Sequence, residues 1–135
     1  MRKTGGEIEE EVYDLIDKST IKTNISGELY REGMRPLNAE TEDAVVSFLT
    51  GLDGQIQTGV LNLNLYVPDI VSNNLTVKNT SRCTELEKLV NSFIQSHSVS
   101  GDYYFELDKT IQTYKAEGIE QHFVNCRIKF QLSTF

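Results

Sequence analysis

The segment Gln55–Val67, QIQTGVLNLNLYV, decides the fold because its side chains alternate in character. One face of an extended chain would carry Leu61, Leu63, Leu65 and Val67, and the other would carry Val60, Asn62, Asn64 and Tyr66. Successive side chains of a strand point to opposite faces, so this period of two predicts a strand with one face in the core. Pro68 and Asp69 end the strand, because proline has no N–H for the sheet ladder.

Two more strands are predicted upstream of this segment. Residues 43–50, DAVVSFLT, are largely β-branched and aromatic, and residues 51–54, GLDG, have the composition of a hairpin connection. Residues Ile25–Glu32 predict a shorter strand, in which Gly27 indicates a bulge or a close backbone approach. Because consecutive strands joined by short turns pair antiparallel, we expect antiparallel pairing here.

Two long strands are predicted in the second half of the chain. They are Tyr103–Lys115 and Ile119–Ser133, and residues 116–118 form the turn between them. The side chains predicted to point inward are Phe105, Leu107, Ile111, Val124, Cys126, Ile128, Phe130 and Leu132. The polar residues 72–80, SNNLTVKNT, predict a loop, and residues 98–102 predict a turn.

A first helix is predicted from a capping signal followed by helical periodicity. Thr4 and Glu7 have the spacing of a capping box, in which each side chain satisfies the backbone N–H of the other residue. Apolar residues then recur on one face through residues 5–18: Ile8, Val12, Leu15 and Ile16. The opposite face is strongly acidic, which is typical of a solvated surface.

A second helix is predicted to begin near Ser81 or Thr84 and to continue to about His97. Thr84 and Glu87 have the spacing of a second capping box. The apolar stripe is wide enough to pack on a sheet and consists of Cys83, Leu86, Leu89, Val90, Phe93 and Ile94.

These elements follow the order α-β-β-β-α-β-β along the chain. We therefore predict an α+β fold in which two helices pack on a mostly antiparallel sheet of about five strands. The length of 135 residues fits a single domain that spans residues 1–135.

Charge and composition exclude several classes of protein. Thirteen basic residues against twenty acidic ones give a net charge of −7, which is unsuited to specific or tight nucleic-acid binding. The N-terminus lacks the apolar core of a signal peptide, and no apolar run reaches the ~18 residues of a membrane span. We predict a chain made for the cytoplasm, with no membrane partner and with both cysteines reduced in the core.

Residues of the types that bind zinc are too far apart to share an ion. On the predicted helix, Cys83 and His97 are separated by about 21 Å. On the last strand, His122 and Cys126 are separated by roughly 13 Å. The sequence also has no phosphate-binding glycine motif and no nucleophile motif, so we expect no catalytic residue, metal or cofactor.

One enzymatic alternative stays open at an acidic cluster. Glu40, Glu42 and Asp43 could hold Mg²⁺ in a metal-assisted hydrolase, because hard cations prefer carboxylate oxygens. In extended structure, however, Asp43 would face away from the two glutamates. A solvated acidic loop is the simpler interpretation.

The segment that holds this cluster, GMRPLNAETED (Gly33–Asp43), has the composition of a contact surface. Arg35 offers a planar fork of donors for a carboxylate, and Pro36 stiffens the backbone so that docking costs less entropy. A second copy of the chain could satisfy these groups, and head-to-tail contacts of that kind can close into a ring. The alternative is a surface pair between Arg35 and a carboxylate of its own chain.

Residues 27–51, GELYREGMRPLNAETEDAVVSFLTG, and residues 54–69, GQIQTGVLNLNLYVPD, carry a family resemblance. They resemble the small tail-terminator, or tail-completion, proteins of long-tailed bacteriophages and prophages. The shared pattern is an Arg-Pro loop with Glu-Asp between strands, followed by an Asn- and Leu-rich strand that ends in Pro-Asp. The order of the remaining elements extends the resemblance over most of the chain.

The resemblance implies a homo-hexameric ring that caps the tail tube, ends tail polymerisation and joins the tail to the head-proximal connector. The partners would be further copies of the chain, the tail tube protein and the connector protein, while DNA passes the lumen without specific binding. It also implies assembly in the bacterial host cytoplasm, a final place in the virion tail, and no catalytic residue or cofactor. The residues implied at subunit contacts or the pore rim are Glu28, Arg35, Pro36, Glu40, Glu42 and Asp43.

A monomeric adaptor that offers an exposed edge strand to a partner is a further alternative.

Overall fold

The alternating segment forms the strand β3 near the middle of the sheet, in a computed structural model that describes residues 2–133. The helices are α1 Gly5–Asp17, α2 Thr20–Asn24 and α3 Thr80–Ser96. The strands are β1 Leu29–Arg31, β2 Asp43–Leu52, β3 Ile56–Pro68, β4 Ile70–Ser72, β5 Leu75–Val77, β6 Val99–Ser100, β7 Tyr103–Leu107, β8 Gln112–Lys115 and β9 Gln121–Ser133.

Seven of these strands form one large sheet, in the order β1-β2-β3-β9-β7-β6, with β8 also pairing with β9. Strands β3 and β9 pair antiparallel along their whole lengths, from Ile56 opposite Ser133 to Pro68 opposite Gln121. Strands β4 and β5 form a separate two-stranded sheet. The predicted α+β class with a mostly antiparallel sheet is confirmed. The predicted counts were too low, because the described residues form three helices and seven strands in the large sheet.

The core lies between one face of the large sheet and the helices. The face of β3 that carries Leu61, Leu63, Leu65 and Val67 is the buried one, while the residues between them remain partly exposed. The five residues predicted to point inward on β9 are also buried: Val124, Cys126, Ile128, Phe130 and Leu132. Helix α1 packs against β1 and β2, and α3 packs mainly against β9 and β7. We call the opposite face of the sheet, which carries Tyr66, the outer face.

The two predicted capping boxes have different outcomes. At α1, Thr4 Oγ1 accepts from Glu7 N at 3.2 Å and the Glu7 carboxylate accepts from Thr4 N at 3.0 Å, so the prediction is confirmed. At α3, the cap is Asn79, whose Oδ1 accepts from Arg82 N at 3.2 Å. The start near Ser81 was right and the Thr84 box was wrong, because Asn79 satisfies the free N–H groups a full turn earlier.

Strand β1 is shorter than predicted and runs parallel to β2, which corrects the expectation of an antiparallel pair. The predicted strand began at Ile25, which is the C-cap of α2, and the residues after it lie beside the start of β2, where Gly27 N donates to the carbonyl oxygen of Glu42. Residues 32–42 then lead the chain over the outer face, so that it enters β2 in the same direction as β1. This crossover replaces a hairpin, since parallel strands cannot be joined by a tight turn.

Two predicted connections contain strands. Residues 72–80 were predicted to be a loop. They contain the last residue of β4, all of β5 and the turn at Asn73 and Asn74 that joins these strands. Both asparagines have positive φ, 52° and 64°, and asparagine tolerates this left-handed region better than most residues. Residues 98–102 likewise contain β6. The predicted strand Tyr103–Lys115 is broken at residues 108–111 into β7 and β8, which pair with different parts of β9.

Candidate interaction surfaces

The crossover between β1 and β2 is closed by a buried ion pair between Arg35 and Asp43. Arg35 Nε donates to Asp43 Oδ2 at 2.9 Å, and the two side chains are only 11% and 1% exposed. The guanidinium also donates to Gln121 Oε1 at 2.9 Å and to the carbonyl oxygen of Thr41 at 3.2 Å. Its carbon lies 4.3 Å from the centre of the Tyr66 ring, within cation–π range. Arg35 therefore ties the crossover to the outer face.

The other carboxylate oxygen of Asp43 accepts two hydrogen bonds, one from the backbone just before β1 and one from the crossover itself. Asp43 Oδ1 accepts from Glu28 N at 2.8 Å and from Thr41 Oγ1 at 3.0 Å. Gly27 lies against the same oxygen, and a Cβ atom at that position would sit 1.9 Å from it. The close backbone approach predicted for Gly27 is confirmed, and it exists because Asp43 occupies the space of a side chain.

A second arginine connects the end of the crossover to α3. Arg82 Nε donates to Glu42 Oε2 at 2.7 Å, and a terminal nitrogen of Arg82 donates to Glu42 Oε1 at 2.8 Å. This is the two-pronged geometry that makes arginine–carboxylate pairs strong. The same guanidinium donates to the carbonyl oxygen of Asn24 in α2. Arg82 therefore joins the end of the crossover, α2 and α3.

The remaining residues predicted at subunit contacts lie at the surface. Glu28 is exposed and forms an ion pair with Lys22 at 3.5 Å, while Pro36 and Glu40 are exposed on the crossover. The pairing of Arg35 with a carboxylate of its own chain, which the sequence left open, is the one observed. It is buried, so the expectation of a surface pair was wrong. The subunit-contact assignment itself stays a prediction.

The acidic cluster does not gather its carboxylates into one site. Asp43 is bound by Arg35 and Glu42 by Arg82, so the two groups face different arginines. Among residues 2–133, no group of three or more His, Cys, Asp or Glu side chains is placed to hold a metal ion.

Both cysteines are free and buried. Burial raises the pKa of the Cys126 thiol to about 12 and also raises the pKa of Cys83. Since the thiolate is the reactive form, both groups are poor nucleophiles at neutral pH.

The hairpin β4–β5 is an apolar surface that sequence reasoning missed. All six residues of its strands are exposed, including Ile70, Val71, Leu75 and Val77. The available signal was the pair Asn73–Asn74 between two short alternating segments, because asparagine favours the positive φ of tight hairpins. An isolated two-stranded hairpin is only marginally stable in water. The exposed apolar residues make this hairpin a candidate docking surface.

A cleft on the outer face lies between the crossover and the turn that follows β8. Its volume is about 400 Å³, and Tyr66 and Phe123 lie among its lining residues with ring centres 5.5 Å apart. Pro36, Leu37 and Ile119 add apolar surface, and the Leu37 side chain is 98% exposed. We call this space the outer-face cleft.

Next to the cleft, three asparagines form a cross-strand cluster on the outer face. Asn125 Nδ2 donates to Asn64 Oδ1 at 2.7 Å and to Asn62 Oδ1 at 3.2 Å. Part of their hydrogen-bonding capacity is used within the chain, which leaves the amide donors of Asn62 and Asn64 pointing away from this contact.

Comparisons with known proteins give a likeness of fold. No family model matches the chain, and no curated protein matches it. One solved structure, whose printed name states no function, superposes with a TM-score of 0.51 at 12% sequence identity. The match covers 96% of this chain and 93% of the other. At that identity the likeness supports the α+β fold alone. Within residues 2–133, no helix is long and apolar enough to cross a membrane.

Proposed function

We propose that this protein is a structural component of a phage or prophage tail. It assembles as a ring of identical copies, caps the tail tube and joins the tube to the head-proximal connector. The observation that carries the proposal is the hairpin β4–β5, whose apolar strands are exposed in the single chain. Such a surface is typical of a protein that works in an assembly.

The ordered conformation of the crossover supports the same function. Arg35 and Arg82 hold it at both ends, so Pro36 and Leu37 are presented at the surface by a segment that is already ordered. Docking onto a rigid segment loses less conformational entropy than docking onto a flexible one. The resemblance in residues 27–69 to tail-terminator proteins indicates which kind of assembly this is.

The charge of the chain fits a ring through which DNA passes. Each copy carries a net charge of −7, and copies in a ring would add their charges around the lumen. An acidic lumen repels the phosphate backbone and does not retain it.

The test is to produce the chain with the tail tube protein encoded nearest to it and to examine the tubes by electron microscopy. We expect a ring at one end of each tube and tubes of limited length. Tubes that grow to the same lengths with and without the chain would end the proposal. Genes for tail components beside the gene for this chain would support it, and an operon of metabolic enzymes would contradict it.

A monomeric adaptor is a second candidate, because the exposed hairpin could equally receive an unrelated partner. Mass measurement separates the two, since an adaptor stays a monomer in the presence of tail tubes.

The metal-assisted hydrolase has less support, because Glu42 and Asp43 are each neutralised by an arginine. Divalent-ion binding that is lost in a variant with Glu42→Gln and Asp43→Asn would revive it.

A further inference from the structure

We propose that the β4–β5 hairpin of one copy docks into the outer-face cleft of a second copy. This inference rests on the ring function proposed above and identifies the two surfaces that join neighbouring copies.

The hairpin has one face suited to docking. Its register places Ile70 opposite Val77 and Ser72 opposite Leu75, so these four side chains share a face. Three of them are aliphatic and exposed, and the opposite face carries Val71 and Thr76. Covering the first face would supply the packing partner that a lone two-stranded hairpin lacks.

The outer-face cleft has matching chemistry. It offers the rings of Tyr66 and Phe123 together with the apolar surfaces of Pro36, Leu37 and Ile119. Arg35 also lines the cleft, but its guanidinium already donates hydrogen bonds to Asp43 and Gln121. Aliphatic side chains from another molecule could therefore enter without separating a charged pair.

The charges of the two surfaces are complementary. Glu32 and Glu117 lie at the cleft, and the only guanidinium there is neutralised within the chain. Residues 70–79, IVSNNLTVKN, contain no carboxylate and one cation, Lys78. Opposite charges across an interface guide encounter and fix orientation. At the cleft, this match favours the hairpin of a second copy over an acidic partner, which would meet like charge there.

The hairpin and the cleft are different patches of one molecule, and a ring requires the heterologous form of their contact, since a reciprocal exchange between two copies would stop at a dimer. Each copy would offer its hairpin to one neighbour and its cleft to another. Contacts of this kind build a closed ring when the rotation between copies closes.

The first experiment compares two charged variants of the hairpin by sedimentation over a concentration series, alone and with tail tubes. Leu75→Asp places a charge on the docking face, and Thr76→Asp places the same charge on the opposite face. We expect Leu75→Asp to raise the concentration at half-assembly roughly tenfold or more, because it would bury an unpaired charge at the centre of the contact. Thr76→Asp should change it much less.

The second experiment mixes, under mild oxidation, variants that each carry one added surface cysteine. Leu75→Cys on the hairpin and Leu37→Cys at the cleft should form a disulfide between two molecules, and the native cysteines are buried. The control mixes Leu75→Cys with Leu52→Cys, because Leu52 is also exposed but lies at the β2–β3 turn. We expect cross-linking in the first mixture and not in the second.

The outcomes separate this inference from the function on which it rests. Rings that form normally with Leu75→Asp, or cross-linking that is equal in both mixtures, would overturn the docking and leave the ring function standing. A wild-type chain that neither self-associates nor caps tubes would remove both. Selective cross-linking on assembled rings supports both.

Discussion

Arg35 and Asp43, eight positions apart, meet in a buried ion pair that spans the base of the crossover between two parallel strands. Arg35 lies on the segment that leaves β1, and Asp43 is the first residue of β2. Because the pair joins the two ends of one connection, it fixes the path of everything between them.

Arg35→Ala should destabilise the protein strongly. It removes the cation and leaves the Asp43 carboxylate buried with only neutral donors, and breaking a buried pair costs ~3–5 kcal/mol. Urea denaturation measures the loss. The control is Arg2→Ala, which removes an exposed pair with Asp53 and should cost at most about 1 kcal/mol. Equal losses in the two variants would contradict the role given to burial.

Gly27→Ala should also destabilise the protein, for a steric reason. The added Cβ would lie 1.9 Å from Asp43 Oδ1 and 2.5 Å from the carbonyl oxygen of Glu42, so the backbone must move. Overpacking of this kind costs ~1–3 kcal/mol or more. Gly6→Ala is the matched control, because its Cβ would meet nothing closer than 3.9 Å and alanine favours a helix. A stable Gly27→Ala protein would show that the approach is looser than described.

Removing the fork between Arg82 and Glu42 should loosen the end of the crossover without unfolding the chain. Arg82→Lys keeps the charge but cannot donate to both carboxylate oxygens in one plane. Hydrogen exchange should then increase at the backbone amide of Glu42, which donates to Ser26 Oγ. Arg82→Ala should increase it further. Unchanged exchange in both variants would show that Arg35 alone orders the segment.

Stability should fall in acid partly through Glu11. Burial acts to raise the pKa of this carboxyl, but hydrogen bonds from Lys3 and Tyr103 outweigh it and hold the pKa below its ordinary value of 4.5. A lowered pKa in the folded state gives stability that is present above the unfolded pKa and lost as pH falls through the folded pKa.

Unfolding free energies measured from pH 6 down to about pH 3 test this point. Glu11→Gln should flatten the decline below the ordinary glutamate pKa. Tyr103→Phe removes one of the two hydrogen bonds and should give an intermediate slope. A wild-type slope in Glu11→Gln would show that other carboxyl groups carry the acid sensitivity.

The two thiols should react slowly with thiol reagents in the folded protein. Cys83 and Cys126 are buried, and burial raises the pKa of both. A thiol-reactive disulfide reagent at pH 8 should label the native chain slowly and the urea-unfolded chain at both positions. Rapid labelling of one thiol in the native chain would indicate an activated cysteine and would reopen nucleophilic catalysis.

The parts of the fold that were predictable depend on local signals. The alternation of β3 and the Thr4–Glu7 cap each involve neighbours in sequence, and both were confirmed. The direction of β1 was not predictable, because it depends on the face over which the crossover passes. The hairpin at Asn73 and Asn74 was missed since its strands are three residues long, too short for a periodicity to register.

The candidate site was predictable in its residue types and not in its pairings. Arg35 was expected to bind a carboxylate, but spacing alone could not choose among Glu40, Glu42 and Asp43. The choice follows from the fold, which buries Asp43 beside Gly27 and brings Gln121 to the guanidinium from 86 positions away. Contacts at that range leave no pattern in a single sequence.

The pairing of β3 with β9 along their whole lengths governs when this chain can fold. Strand β3 leaves the ribosome before β9 is translated, and the hydrogen-bonding edge of β3 that pairs with β9 lacks its full partner until residue 133 has emerged. Cotranslational folding can therefore form α1 and the β2–β3 hairpin but cannot complete the sheet. An unpaired strand edge is prone to aggregation during that interval, and a chaperone that covers residues 56–68 would protect it.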